Sequence, residues 1–187
     1  MSFARVRALV VIGVLAVAAV IFVVVALVRD TQSDAVAGDG CADGAPRANV
    51  TLPDDPDEVK VRVLNGTKEQ GKAEKVTNDF KNRGFIMQKP GESRSKFERI
   101  AVIRYGPKAV GDAQLLKAYF LGKALPQYNP KRTDDVVEIV VGAGFQQLAT
   151  STEVNQSLVE LGEPEVPPGA CAAPPEKKDD KAAGAKG

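Results

Sequence analysis

The sequence predicts an α+β fold, an α/β sandwich, carried behind one N-terminal transmembrane helix. Three observations predict it. One long apolar run lies near the N-terminus and has no rival elsewhere in the chain. Short stretches of valine and isoleucine alternate with charged residues, the period of half-buried strands. Between them lie segments with apolar residues at helical spacing, bounded by capping and glycine signals.

Residues 8–28 read ALVVIGVLAVAAVIFVVVALV, twenty-one positions without a charge. At the rise of an α-helix this spans roughly 30 Å, the thickness of a bilayer's hydrocarbon core. Arg5 and Arg7 precede the run, whereas Asp30 and Asp34 follow close behind Arg29. Positive charge stays on the cytoplasmic side. The expected topology is therefore a cytoplasmic N-terminus at residues 1–7, a single-pass span at 8–28, and an extracytoplasmic remainder. The competing reading is a cleaved signal, with Ala35-Val36-Ala37 as the cleavage pattern. Its apolar core would be longer than the usual one of about 7–15 residues.

Residues 29–58 are rich in Asp, Gly, Ala and Pro and lack an apolar period, so they read as a flexible acidic linker. Residues 59–163 form the expected domain. Residues 164–187 read as a Pro/Ala/Lys-rich disordered tail. Cys41 precedes the domain and Cys171 follows it. An even count in an exported chain suggests a disulfide tying the two ends together. The alternative is two free thiols in flexible tails.

Within the domain, Val59, Val61 and Val63 alternate with Lys60 and Arg62 and mark the first strand, which Asn65-Gly66 breaks. Thr67 and Gln70 match a capping box. Ala73, Val76 and Phe80 follow at helical spacing, so a helix is predicted over about 69–83, closed by Gly84. Phe85 to Gln88 gives a second strand, ended by Pro90-Gly91. Ile100 to Tyr105 gives a third, stopped by Gly106-Pro107. Leu115, Leu116, Tyr119 and Phe120 mark a second helix over about 109–121. Val136 to Val141 is a fourth strand, with Val137, Ile139 and Val141 on one face. Thr150 and Glu153 form another capping box, before a short helix carrying Val154, Leu158 and Leu161. The order β-α-β-β-α-β suggests a ferredoxin-like or split βαβ arrangement, a four-stranded sheet with both helices on one face.

The net charge of +1 hides uneven blocks. Residues 59–132 hold seventeen Lys or Arg against six acids, net +11. Residues 30–58 and 133–165 are each net −7. A basic core between acidic flanks either attracts an anionic ligand or is neutralised by the flanks folding back. An extracytoplasmic location makes nucleic acid a poor partner.

The run VRVLNGT (61–67), a helix ending in RGF (83–85), a strand ending in RYGP (104–107) and VVEIVVGAGF (136–145) resemble, in order and spacing, the LytR C-terminal domain family across about 59–147. The layout is similar to its stand-alone, membrane-anchored actinobacterial type, as in mycobacterial envelope integrity proteins. The resemblance implies a role in cell-envelope integrity and wall assembly. Such domains also end wall-polymer ligases, but this chain has no room for a ligase's catalytic domain, so transferase activity is not implied.

The residues themselves speak against catalysis. The chain has no histidine, the commonest general base and metal ligand. It has no Cys-x-x-Cys pair, no nucleophile elbow and no P-loop. No cofactor or metal is expected. Two features could hold an anion. One is the helix start behind Asn65, Gly66 and Thr67, where free N–H groups favour negative charge. The other is an open sheet face bearing Lys60, Arg62 and Arg104, with Tyr105 beside them. The competing readings are turn and capping chemistry for Asn65-Gly66-Thr67, and packing against the loop for Arg104 and Tyr105. The expected function is non-catalytic support of the envelope. The partner would be peptidoglycan, arabinogalactan, a phosphate-containing glycan or its lipid carrier. The alternative is a scaffold for wall-assembly or division proteins.

Overall fold

The computed structural model describes residues 41, 42 and 44–174, together with positions 13, 16, 17 and 19. The chain divides into two compact units, Met1–Gly40 and Cys41–Gly187. In the first unit the four described positions are helical. The expected span over 8–28 otherwise lies outside the described residues, as does the tail beyond 174. Among the described residues, no helix is long and apolar enough to cross a membrane.

Among the described residues, the second unit has eight short strands and three α-helices: β1 Arg47–Ala48, β2 Lys60–Asn65, α1 Lys72–Asn82, β3 Ile86–Met87, β4 Gly91–Glu92, β5 Ala101–Tyr105, α2 Val110–Ala118, β6 Leu125–Tyr128, β7 Val136–Val141, α3 Ser151–Leu161 and β8 Cys171–Ala172. Its main sheet runs β3-β2-β7-β5-β6, and β4 also pairs with β2. β2 is parallel to β3, β4 and β7, β5 is antiparallel to β7, and β5 is parallel to β6.

The fold class is the expected mixed one, but the ferredoxin-like strand order is not. A split βαβ unit leaves a slot for another strand between its two parallel strands. Here α1 ends at Gly84, whose positive φ of 94° turns the chain straight back onto the sheet. The Ile86 N–H then donates to the Val59 carbonyl at 3.0 Å, so β3 lies directly beside β2 with no slot between. The chain continues along the same edge through β4, then crosses the sheet to start β5 on the far side. β7 enters last, between β2 and β5.

Period-two patterning decides what each face does. Val61, Val63, Ile103, Val137, Ile139 and Val141 alternate onto one face and are buried against Val76 and Phe80 of α1 and Leu115 and Leu116 of α2. The Phe80 and Phe85 rings meet edge-on at 5.1 Å, and Phe85 meets Tyr119 in the same way at 5.1 Å. α3 adds Val154, Leu158 and Leu161 to this core. On the other face, Leu64, Val102 and Val140 form a smaller apolar patch under Phe97. Gly66 makes that cover fit. A Cβ there would stand 2.7 Å from the Phe97 ring and 2.7 Å from the Val141 carbonyl oxygen.

The segments on either side of the expected domain are ordered where they are described. Residues 44–58, within the stretch expected as linker, carry β1 and a 3-10 turn, Pro56–Glu58. Ala48 is fully buried, and the Asn49 N–H donates to the Pro107 carbonyl at 2.8 Å. At the other end, β8 pairs in parallel with β1, Arg47 opposite Cys171 and Ala48 opposite Ala172. The Cys41–Cys171 disulfide closes the same corner, with 6.0 Å between the Cα atoms. The sequence pattern also misses β6, because Pro126 lies inside it.

The bridge joins residues 130 positions apart. In the chain-entropy account so long a loop is worth at most about 5 kcal/mol. A Cys41→Ser/Cys171→Ser variant is expected to lose about 2–5 kcal/mol in denaturant unfolding while keeping its far-UV spectrum, since neither cysteine lies in the main sheet. An unchanged unfolding midpoint would show that the bridge clasps nothing.

Candidate functional site

The residues singled out from the sequence fall into three places. Lys60, Arg62 and Arg104 do share the face of the sheet opposite α1 and α2. Registers place Arg62, Glu138, Arg104 and Gln127 in one row across β2, β7, β5 and β6. The row is internally paired. Glu138 lies 3.7 Å from Arg62 and 3.1 Å from Arg132, and the Arg104 Nε donates to Gln127 Oε1 at 3.0 Å. Arg132 reaches over the row from the loop before β7 and also donates to Asp134 and to the Val136 carbonyl. Lys60 lies 2.7 Å from Asp135, and that hydrogen bond holds the Asp135 carboxyl below its usual range. Three acids from the acidic block thus sit among four cations of the basic block. The flanks do fold back here: Lys60, Arg62 and Arg132 each have a carboxylate partner, and Arg104 a neutral one in Gln127.

Asn65, Gly66 and Thr67 form a closed turn at the end of β2. The Thr67 N–H and hydroxyl both donate to Asn65 Oδ1, at 2.9 and 2.8 Å. The Asn65 amide donates to the Glu69 carbonyl at 2.8 Å and to Glu92 at 3.1 Å. This competes directly with capping, as local side-chain bonds do. The predicted capping box at Thr67 is therefore not made. α1 begins at Lys72, behind Gly71 at a positive φ of 75°. The expected anion site at a helix start behind Thr67 is lost with it. The second box is made: the Thr150 hydroxyl accepts from the Glu153 N–H, and the Thr150 N–H donates to the Glu153 carboxylate.

Tyr105 points away from the basic row, since residues 101, 103 and 105 of β5 face the helices. It lines a groove of about 400 Å³ between α2, the β5–β6 edge and residues 161–168. Tyr128, its neighbour in the β5–β6 register, lines the same groove, with ring centroids 5.8 Å apart at 51°. Burial raises both phenols above their usual range, so both stay protonated at neutral pH. The Tyr128 hydroxyl is buried and has no hydrogen-bond partner among the described residues. Ile103, Val110 and Leu161 add apolar lining, while Lys117, Glu163 and Glu165 add charge. Sequence reasoning missed Tyr128 because β6 carries no strand period, and missed Glu163 and Glu165 because they border a stretch read as tail. Among the described residues, no three carboxylate or thiolate groups converge as a metal requires.

One acid near the start of α2 stands apart. Burial, reinforced by Asp135 and Glu58 and opposed by Lys60, raises the Asp112 carboxyl to about 7. The folded chain therefore holds this proton up to about pH 7, and the unfolded chain releases it near 4. Its stabilising effect is complete below pH 4 and is lost as pH rises to 7. Asp112→Asn is expected to flatten this slope, matching the parent near pH 4 and exceeding it at pH 8 by up to about 4 kcal/mol in thermal or urea unfolding. A parent whose stability does not fall between pH 5 and 8 would contradict the assignment.

Comparison with known proteins bears on the same domain. Residues 58–145 match the family described as LytR cell envelope-related transcriptional attenuator. The match runs from the end of the 3-10 turn to just past β7. It thus takes in every strand of the main sheet, with α1 and α2. The soluble domain of a conserved hypothetical secreted protein from Mycobacterium marinum is similar at a TM-score of 0.49 and 23% identity, over 65% of this chain and 83% of that one. No curated protein matches the chain. Residues 58–145 are thus a LytR C-terminal-type domain, of a family described as cell-envelope related.

Proposed function

We propose that this chain is a non-catalytic cell-envelope protein, anchored in the membrane by residues 8–28, whose extracytoplasmic domain binds wall material. The observation that carries the reading is the Cys41–Cys171 bridge around a domain of an envelope family. Structural disulfides persist in oxidising compartments and are rare in the cytosol. Apolar residues 8–28 supply the means of export and retention. The lack of histidine favours binding over turnover. The wall ligand engages the groove at Tyr105 and Tyr128. The Lys60, Arg62 and Arg104 face is a weaker candidate, because its cations already have partners. The Asn65-Gly66-Thr67 turn serves the fold, since its polar atoms are satisfied within the chain.

Full-length protein in detergent micelles is expected to co-sediment with purified cell-wall sacculi. Lys60→Glu should leave that recovery within about twofold, as an exposed paired lysine contributes little. A reporter fused to the C-terminus is expected to be active only outside the cytoplasm. Protein left entirely in the supernatant, or a reporter active in the cytosol, would end this reading.

A further inference from the structure

The groove carries more information than its position. Its two tyrosine rings give a tilted aromatic wall beside the edge of the sheet. Prolines border it on both sides, Pro126 on β6 and Pro164, Pro167 and Pro168 on the C-terminal segment. Proline has little backbone freedom to lose, so such walls are preorganised. The C-terminal segment is further fixed where β8 and the disulfide tie residue 171 to β1. A volume of about 400 Å³ is at the small end of ligand sites, enough for one or two six-membered rings.

The charges select among ligands. Glu163 and Glu165 face the groove against one Lys117, and none of the three has an ion-pair partner within 4.0 Å among the described residues. Two carboxylates and one ammonium repel a phosphate or a polyanion. They are good acceptors and donors for hydroxyl groups. The Tyr128 hydroxyl, buried without a partner, adds a donor whose isolation costs free energy until something bonds it. An aromatic wall suits a ligand with an apolar face, and the charged groups suit one with a hydroxylated rim. A pyranose or furanose ring has both.

We propose that the groove binds an uncharged saccharide ring. The Tyr105 and Tyr128 rings pack on its C–H face. The Tyr128 hydroxyl, Lys117, Glu163 and Glu165 exchange hydrogen bonds with its hydroxyls. This rests on the reading of the chain as a wall-binding protein and names the class of ligand it takes.

The chain reports on this site without labels. It has no tryptophan and three tyrosines, and two of those line the groove. Full-length protein in micelles would be titrated with chitotetraose, galactotetraose and arabinotetraose, and separately with inorganic polyphosphate. Tyrosine emission and calorimetry would be followed together. At least one neutral tetrasaccharide is expected to bind saturably and change the emission, while polyphosphate neither binds nor competes. Tyr128→Phe, which keeps the ring and removes one hydroxyl, is expected to weaken binding about fivefold, the effect of one lost hydrogen bond. Lys117→Ala should weaken it similarly with its melting temperature unchanged, while Tyr128→Phe should melt no lower than the parent, since it removes a buried hydroxyl that has no partner among the described residues. Competition by polyphosphate, or affinity indifferent to both substitutions, would overturn the assignment. If no tetrasaccharide binds but sacculi still retain the protein, the saccharide assignment falls and wall binding stands. If sacculi also fail to retain it, both fall.

Discussion

The structure depends on β7 being held between β2 and β5. Six residues of β7 pair in parallel with the whole of β2, and four pair in the opposite sense with β5. Val137, Ile139, Val140 and Val141 are fully buried as a result. Burying such side chains is worth about 1.5–3 kcal/mol each. No neighbouring strand could replace them, because β2 and β5 do not touch each other in the sheet. Everything on either face is registered by this one strand. The helices rest on its odd-numbered residues, while Glu138 and Val140 hold the basic row and the Phe97 cover in place on the other side.

That register also explains why a strongly basic stretch makes a modest electrostatic surface. The acidic block begins immediately before β7, so Asp134, Asp135 and Glu138 arrive in the sheet opposite Lys60, Arg62 and Arg104. Charge read along the chain is segregated; charge read across the strands is mixed. The groove on the helix side takes its aromatic rings and Lys117 from the basic stretch, at the β5–β6 edge and α2, and its carboxylates from the segment after α3. The two faces of one sheet thus do different work, one closing the fold and one shaping a cleft.

What could be read from the sequence is what depends on local pattern. The valine alternation in β2 and β7, the helix carrying Val76 and Phe80, the Thr150–Glu153 capping box and the pairing of Cys41 with Cys171 all follow from spacing within a few residues or from simple counting. What escaped depends on contacts far apart in the chain. Strand order is set by how tightly Gly84 returns the chain to β2. One miss is local instead: Thr67 has the sequence of a cap, yet Asn65, two residues back, takes its N–H first. β1 and β8 are two residues each and exist only because they meet. The pairing within the basic row escaped because it required knowing which acid lies opposite which base. Tyr105 was noticed, but not that it points to the other side of the sheet, where Tyr128 waits.

The borders of the sheet have a consequence of their own. The Asn129 N–H donates to the Tyr105 carbonyl, so by alternation Pro126 turns its backbone nitrogen outward from β6. That nitrogen bears no hydrogen, which removes a donor from the rim. The opposite rim is split into β3 and β4, two residues each, with Pro90 in the gap between them. Neither margin offers the long row of unpaired amides and carbonyls along which identical chains zip together. Many copies can therefore stand crowded side by side without their sheets fusing into aggregates.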